Sequence, residues 1–476
     1  MIFSGIFFIT IFLPISLFLY YISNNRTYRN ALLILMSLVF YAWGEPVWIL
    51  LLLLNSLVIY LLGLGIEKSK KKQSKAFLLT GLVFLLSLLG VFKYTNFILN
   101  NIFSLFNISG EANINLGLPL GISFYVFTSI AYLVDVYKRR INAEKNFFNL
   151  LLFTSFFFTV TSGPIQRYKD IQGDILQPRE SAEKFNKGVH RFIIGLAKKV
   201  VIANSAGTLI SSFIGQDYKL LSVQASWIGI LLFAVQIYFD FSGYSDMAIG
   251  LASMFGFSLK ENFNYPYIAK SAREFWRRWH ISLGSFFRDY VYIPLGGSRV
   301  KTSRWILNIF IVWFLTGLWH GAGWNFIAWG LYFFLLLLIE KLFLQKILDK
   351  LPKLISHIYF VLIMLIGWVF FYHSNIGDAF RFLGIMFNIK AASIKDPVVS
   401  ILFRNNIFFI IASVLCSLPL GRNIKELILK SQNKFLQKHN GLMTNIFIPL
   451  IDLSLLALSL IFLVGDTYTP FLYFDF

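Results

Sequence analysis

The sequence predicts an all-α polytopic membrane protein of about 11–13 transmembrane helices, with re-entrant or interfacial helices among them. Three observations predict it. Hydrophobic residues make up 57% of the 476 and charged residues 14%. The mean hydropathy is +0.68, and apolar runs near bilayer length alternate with short, cation-rich connections. A water-soluble domain of this size would need far more polar surface to cover its core.

Spans are expected near 1–22, 31–43, 47–66, 76–97, 116–137, 190–214, 223–252, 305–319, 322–340, 354–373, 406–420 and 444–466. The first, Met1 to Ile22, lacks a basic leader and a small-residue cleavage site, so it reads as an uncleaved helix rather than a signal peptide. Three spans, 31–43, 305–319 and 406–420, fall short of the roughly 20 residues a perpendicular helix needs. Either their ends lie elsewhere or the bilayer is locally thin. The run 147–163 has positive flanks on both sides and is expected to re-enter or lie in the interface instead of crossing. No internal repeat, linker or composition shift divides the chain, so residues 1–476 are expected to form a single membrane domain.

Lys and Arg number 43 against 23 Asp and Glu, a net charge of +20. The surplus falls at Arg26 and Arg29, Lys68 to Lys75, Lys138 to Lys145, 166–189, 270–304, 341–353 and 422–438. By the positive-inside rule these connections are cytoplasmic. Both termini then lie outside a cell (plasma or inner) membrane, 255–304 is a cytoplasmic amphipathic segment, and 374–405 is an external loop. The cations are scattered over many short loops instead of one aromatic-laced stripe, which argues for contact with bilayer headgroups and against nucleic acid as a partner. The lone cysteine, Cys416, excludes an intramolecular disulfide and a cysteine-rich metal site.

Three polar clusters interrupt the apolar pattern. The run Trp319-His320-Gly321-Ala322-Gly323-Trp324-Asn325 places an ionisable side chain at membrane depth, where it is costly and marks a functional site by default. Gly321 and Gly323 permit close approach or departure from helical geometry, and Trp319 and Trp324 offer flat walls with one polar edge each. A histidine cross-linking two helices by a hydrogen bond is the alternative reading.

The segment from Ser271 to Tyr290 reads as an amphipathic helix, with Phe275, Trp279, Phe286 and Tyr290 on one side and Arg273, Arg277 and His280 together on another. Pro294 and the Gly296-Gly297 pair end it. Arg273, Arg277 and Arg278 beside that glycine turn could hold the phosphates of an acyl carrier through guanidinium forks and free N–H groups. An interfacial helix with snorkelling arginines would look the same.

The third cluster, Gln236 to Asp246, carries Asp240 and Asp246 within an apolar span. Six residues apart, they point in different directions on a regular helix, and Gly243 is a candidate break. They cross-link helices, orient a histidine, or bind a cation together with His280 and His320, the last being the least supported. The polar residues at this depth show no i, i+4 ligand pair, so no metal is expected.

At these clusters, and over most of the chain, the sequence resembles the membrane-bound O-acyltransferase family, in particular the bacterial branch that O-acetylates alginate, peptidoglycan and similar cell-surface polysaccharides. The resemblance rests on Gly121-Ile122-Ser123-Phe124-Tyr125 with Tyr132 to Tyr137, on Ser162-Gly163-Pro164-Ile165, on Asp240 to Asp246, on Trp276 to Gly297, on Thr316 to Trp329, and on the ending Pro470 to Phe476. A more distant similarity is to the D-alanyl transferase of teichoic-acid modification. Phe158 departs from the pattern, standing where the family is expected to carry proline.

The resemblance implies an active-site histidine at His320, a second histidine at His280, and a helix bundle around a central passage joining the two faces. It also implies a separate exported acetyltransferase as partner, a surface polysaccharide as final acceptor, and acetyl-CoA or another acyl thioester as donor, with no permanently bound cofactor. Chemistry favours the same histidine independently, because acyl transfer from a thioester to a hydroxyl needs a base effective near neutral pH. Asn325 and freed amides near Gly321 and Gly323 are candidate donors to the oxyanion, and Asp240 or Asp246 could support the base. Because the span ending at His320 begins at the cytoplasmic side, His320 is expected past mid-membrane. A proton-coupled transporter would also carry intramembrane aspartates and a histidine, but no pseudo-symmetric halves are visible; a structural anchor of a polysaccharide-modifying complex is the other alternative.

Overall fold

The computed structural model describes residues 1–114, 116–423 and 446–465, so most of the basic stretch 422–438 and the ending Pro470 to Phe476 lie outside the described residues. The protein is 75% helical, with no strand among the described residues. In chain order the helices are α1 (Phe8–Ile22), α2 (Arg26–Gly44), α3 (Ile49–Lys68), α4 (Lys71–Leu105), α5 (Ile122–Tyr137), α6 (Phe147–Ser155), α7 (Tyr168–Leu176), α8 (Ala182–Ile214), α9 (Val223–Met254), α10 (Ala272–Arg278), α11 (Ile281–Phe287), α12 (Thr302–His320), α13 (Trp324–Leu348), α14 (Lys353–Tyr372), α15 (Ile376–Met386), α16 (Pro397–Asn405), α17 (Ile407–Cys416) and α18 (Ile448–Gly465).

Among the described residues, seven helices are long and apolar enough to cross a membrane alone: α3, α4, α8, α9, α13, α14 and α18. The pair α16 and α17, bent by 58°, makes an eighth if counted as one span. The bent pair replaces the expected span 406–420. The other two short spans lengthen instead, since α2 and α12 each reach 19 residues. At the start of α2 the Asn25 side chain caps the helix, accepting from the Tyr28 amide at 3.1 Å.

The run 147–163 does not cross. Its helix α6 has nine residues, and the non-helical continuation through Phe156, Phe157 and Phe158 is buried. The Phe157 amide donates to the Ser37 hydroxyl at 3.1 Å, and the Thr161 and Tyr244 hydroxyls are hydrogen-bonded. The Phe158 ring, at the position where proline was expected, stacks on Phe156 at 4.7 Å, and the geometry stays non-helical without the proline.

Two segments differ from expectation. Residues 374–405 are not a loop but contain α15 and α16, started by side-chain caps at Asn375 and Asp396, with Pro397 opening α16. The expected single helix over Ser271 to Tyr290 is two short helices and a π-helical turn, broken where Trp279 is extended and His280 takes a left-handed conformation at φ +45°. The expected apolar side survives the break: Phe275, Trp279 and Phe286 are buried. Arg273 and Arg277 are exposed, whereas His280, expected on their side, is buried.

The core is built on α9, whose apolar window is 78% buried against 6% for α18. Gly243 does not break α9. It lies against α8, where an added Cβ would sit 2.7 Å from the Gly195 carbonyl, and Gly250 faces the Gly188 carbonyl at the same 2.7 Å. The two glycine pairs let antiparallel backbones touch, the small-residue packing that membrane helices use. Gly317 of α12 and Gly330 of α13 do likewise, each 2.4 Å from the other helix's carbonyl if given a Cβ, so α12 and α13 form a tight hairpin with His320 at its tip.

Among the described residues the basic connections gather on one face. Arg29 pairs with Glu180; Arg139 donates to the Glu67 carbonyl at 3.0 Å. Lys260 pairs with Asp170 at 2.6 Å, and Arg167 with Asp289 at 2.7 Å. Lys270, Asp349 and Lys353 line one cleft of about 220 Å³. From this face α12 runs its 19 residues to His320, a rise of about 28 Å at helical pitch.

Gly243→Leu is expected to force α8 and α9 apart and to destabilise the protein by roughly 1–3 kcal/mol or more, read as a lowered Tm of the purified protein. An unchanged Tm would contradict the backbone contact.

Candidate active site

His320 ends α12 because the chain turns extended at Gly321. An added Cβ at Gly321 would lie 2.1 Å from the Phe326 ring, and one at Gly323 2.3 Å from the Asn325 side-chain oxygen, so both glycines make room for the start of α13. The imidazole is buried at 4% exposure. Around it stand Trp319 at 4.8 Å, Trp329 at 4.9 Å and Phe371 at 5.1 Å between ring centroids.

Trp324 is not a wall of this chamber. It is 54% exposed and donates to Asn101 of α4 at 3.0 Å. Trp329, five residues further along α13, takes the place expected for it. Its indole N–H and that of Trp319 are buried with no hydrogen-bond acceptor among the described residues. A buried donor left unmade costs about 1–3 kcal/mol, and these two flank one imidazole. Asn325 is buried, and its amide donates to the Phe370 carbonyl at 3.4 Å.

His280 reaches the same place from the basic face. The 262–264 segment pairs with the chain on either side of it: the Asn264 amide donates to the Arg278 carbonyl and the Ile281 amide to the Asn262 carbonyl, both at 2.9 Å. The Asn262 side-chain oxygen accepts from the Ser282 amide at 3.1 Å and its hydroxyl at 2.9 Å, and lies 3.2 Å from His280 Nδ1. Asn262 in turn donates to Ser245 of α9 at 3.2 Å. These bonds break the expected amphipathic helix and turn the imidazole inward, 4.7 Å from Phe241 and 5.8 Å from Trp319. Trp319 is thus a neighbour of both histidines, flanked by Phe124 and Phe127 of α5 at 5.8 and 5.7 Å.

The two aspartates of α9 meet cations of α8. Asp240 pairs with Lys199 at 2.6 Å, and both are buried. Asp246 pairs with Arg191 at 2.8 Å and Lys198 at 2.6 Å. Helix cross-linking, one of the readings of these carboxylates, is what this geometry supplies.

At the glycine turn, the Gly296 amide donates to the Ile293 carbonyl at 3.0 Å and the Gly297 amide to the Tyr292 carbonyl at 2.9 Å. Both N–H groups are used within the turn, so the expected phosphate cradle cannot be made of them. Arg278 pairs with Glu274 at 2.9 Å, whereas Arg273 and Arg277 reach solvent.

Sequence reasoning missed Asn262, Lys199 and Arg191, which lie outside the local windows that drew attention to the histidines and are brought in only by the tertiary fold. Trp329 stood only as the end of the run Thr316 to Trp329, with no role given to it. The Lys198-Lys199 pair carried a signal, two cations inside an expected span.

Comparison with known proteins places the chain. Residues 39–375 match the profile of MBOAT, the membrane-bound O-acyltransferase family. The chain is 39% identical to a probable alginate O-acetylase of Pseudomonas aeruginosa over 82% of its own length and 75% of that protein's. It is 33% identical to a peptidoglycan O-acetyltransferase of Helicobacter pylori over 98% and 96% of the two chains. It is 32% identical to a teichoic acid D-alanyltransferase of Bacillus subtilis over 45% and 56%.

Asp240→Asn leaves the Lys199 ammonium without its buried counter-charge, an expected cost of about 3–5 kcal/mol, and should lower membrane abundance sharply. Adding Lys199→Met should recover most of it. A double variant no more abundant than the single one would show that the pair does not join the helices.

Proposed function

The chain belongs to the membrane-bound O-acyltransferase family and is an integral membrane acyltransferase, and from that premise we propose that it carries an acetyl group from a cytoplasmic thioester to a hydroxyl reached from outside. The membership disfavours the transporter and anchor readings. The observation that carries the proposal is the shared ring of Trp319. It links His280, on a segment descending from the basic face, to His320, at the far end of α12.

In this reading His320 is the general base. Its imidazole takes the proton of the acceptor hydroxyl as the oxygen attacks the thioester carbonyl carbon. The tetrahedral oxyanion accepts hydrogen bonds from the Trp319 and Trp329 indoles, with Asn325 beside them. On collapse the carbon–sulfur bond breaks, and the thiolate takes the proton back from the imidazolium, leaving an ester, a free thiol and neutral histidine. His280 lines the donor's approach, and the exposed Arg273 and Arg277 at the basic face hold the phosphates of acetyl-CoA as guanidinium forks, while Arg278 beside them is tied to Glu274. Asp240 and Asp246 act at a distance by fixing α9.

The remaining assignments follow from the same reading. Residues 1–476 act as a single domain in the plasma or inner membrane, with both termini outside and the basic face inside. The relatives' names point to a surface polysaccharide such as alginate or peptidoglycan as the final acceptor. An exported acetyltransferase would relay the group, its own hydroxyl being the immediate acceptor.

The test is ester-linked acetate on surface polysaccharide in a strain lacking the gene, complemented at matched membrane abundance. Wild type should restore it, and His320→Ala should restore less than about a hundredth, the scale of losing a general base. Full restoration by His320→Ala would remove His320 from the chemistry.

A further inference from the structure

Helix α4 is not regular. Residues Gly90–Tyr94 form a π-helical turn, and the two side chains at its end meet the last turn of α12. The Lys93 ammonium donates to the Trp319 carbonyl at 2.6 Å and to the His320 carbonyl at 3.2 Å. The Tyr94 hydroxyl donates to the Leu318 carbonyl at 2.7 Å. An α-helix leaves its last four carbonyls without intrahelical donors. Here three consecutive ones are taken by side chains of another span.

The consequence falls on His320. Since Gly321 is extended, no further turn of α12 follows to hold the histidine backbone. The clamp comes from α4 instead. An ammonium at membrane depth is costly unless partnered, and the partner here is the negative end of the α12 dipole, to which a cation is suited. Local π-turns inside α-helices are frequent at functional sites.

The arm that carries His280 is held the same way with opposite sign. Glu340, in the π-helical turn Glu340–Leu344 of α13, is buried and accepts from the Ala272 amide at 2.7 Å and the Arg273 amide at 3.0 Å, at the positive end of α10.

We propose that Lys93 is a positioning residue for the transfer: by gripping the last carbonyls of α12 it fixes the His320 imidazole between Trp319 and Trp329. The inference rests on His320 being the base. Lys93 touches neither donor nor acceptor in this role, so it governs how often the base is in line and not how tightly the donor binds.

The experiment measures coenzyme A release from acetyl-CoA by membranes of the native strain carrying the full chain as wild type, Lys93→Met, Lys93→Arg, Tyr94→Phe or His320→Ala, with rates normalised to protein abundance. Lys93→Met should lower the maximal rate about 10- to 100-fold, the range that a displacement near 1 Å costs. Its KM for acetyl-CoA should stay within about twofold, and Lys93→Arg should recover much of the rate by restoring a donor cation. A wild-type rate for Lys93→Met, or a raised KM at unchanged maximal rate, would overturn the inference. Should Lys93→Met fail to accumulate, Tyr94→Phe decides. It keeps the cation and loses one bond, and a rate indistinguishable from wild type would count against the clamp. If His320→Ala is itself fully active, the base assignment fails whatever Lys93 does.

Discussion

A carboxylate or ammonium carried into the bilayer interior keeps its charge only where the protein supplies the partner that water cannot. Helices α8 and α9 are joined on those terms. Asp240 meets Lys199, Asp246 meets Arg191 and Lys198, and reciprocal glycines bring the backbones close enough for these short side-chain bridges to form. The rest of the molecule is placed by that pair. Ser245 of α9 holds Asn262, and Asn262 holds the reversal that turns His280 inward. The packed α9 surface also presents Phe241 to His280.

The same constraint explains the two histidine arms. The orphaned groups at the end of α12 and the start of α10 are met by Lys93 and Glu340 from neighbouring spans. Each of these side chains sits in a π-helical turn, where the extra residue redirects it out of the regular helix face. The helix ends nearest the two histidines are therefore held by side chains, and their positions depend on spans distant in sequence.

Much of this was legible in the chain. Hydropathy located the seven helices long and apolar enough to cross, whereas the expected spans 1–22 and 116–137 hold shorter apolar helices, Phe8–Ile22 and Ile122–Tyr137; 147–163 was separable from a true span because both flanks are positive. His320 stood out as an ionisable residue at membrane depth. Lys93 satisfied the same criterion inside the expected span 76–97 and was passed over, because a cation near a span's end reads as snorkelling. The break at His280 was hidden: it depends on Asn262, eighteen residues away, and a helical pattern of aromatics cannot report a partner that competes for the backbone. Asp396-Pro397 did carry a helix-start signal within 374–405, outweighed there by general polarity. Gly243 showed the limit of reading a glycine alone, since flexibility and close packing call for the same residue.

In the proposed function the site is a route between faces. The described basic connections share one side, His280 descends from it, Trp319 is common to both histidines, and His320 lies at the far end of α12. An acyl group passing along this line would leave a thioester on one side and become an ester on the other. The direct measurement uses sealed membrane vesicles of known orientation, with acetyl-CoA labelled in the acetyl carbon supplied only at the basic face, and follows base-labile label on the opposite side. Label arriving there with wild type and not with His320→Ala is the expected result. Label confined to the donor side, or arriving equally with His320→Ala, would contradict transfer through His320.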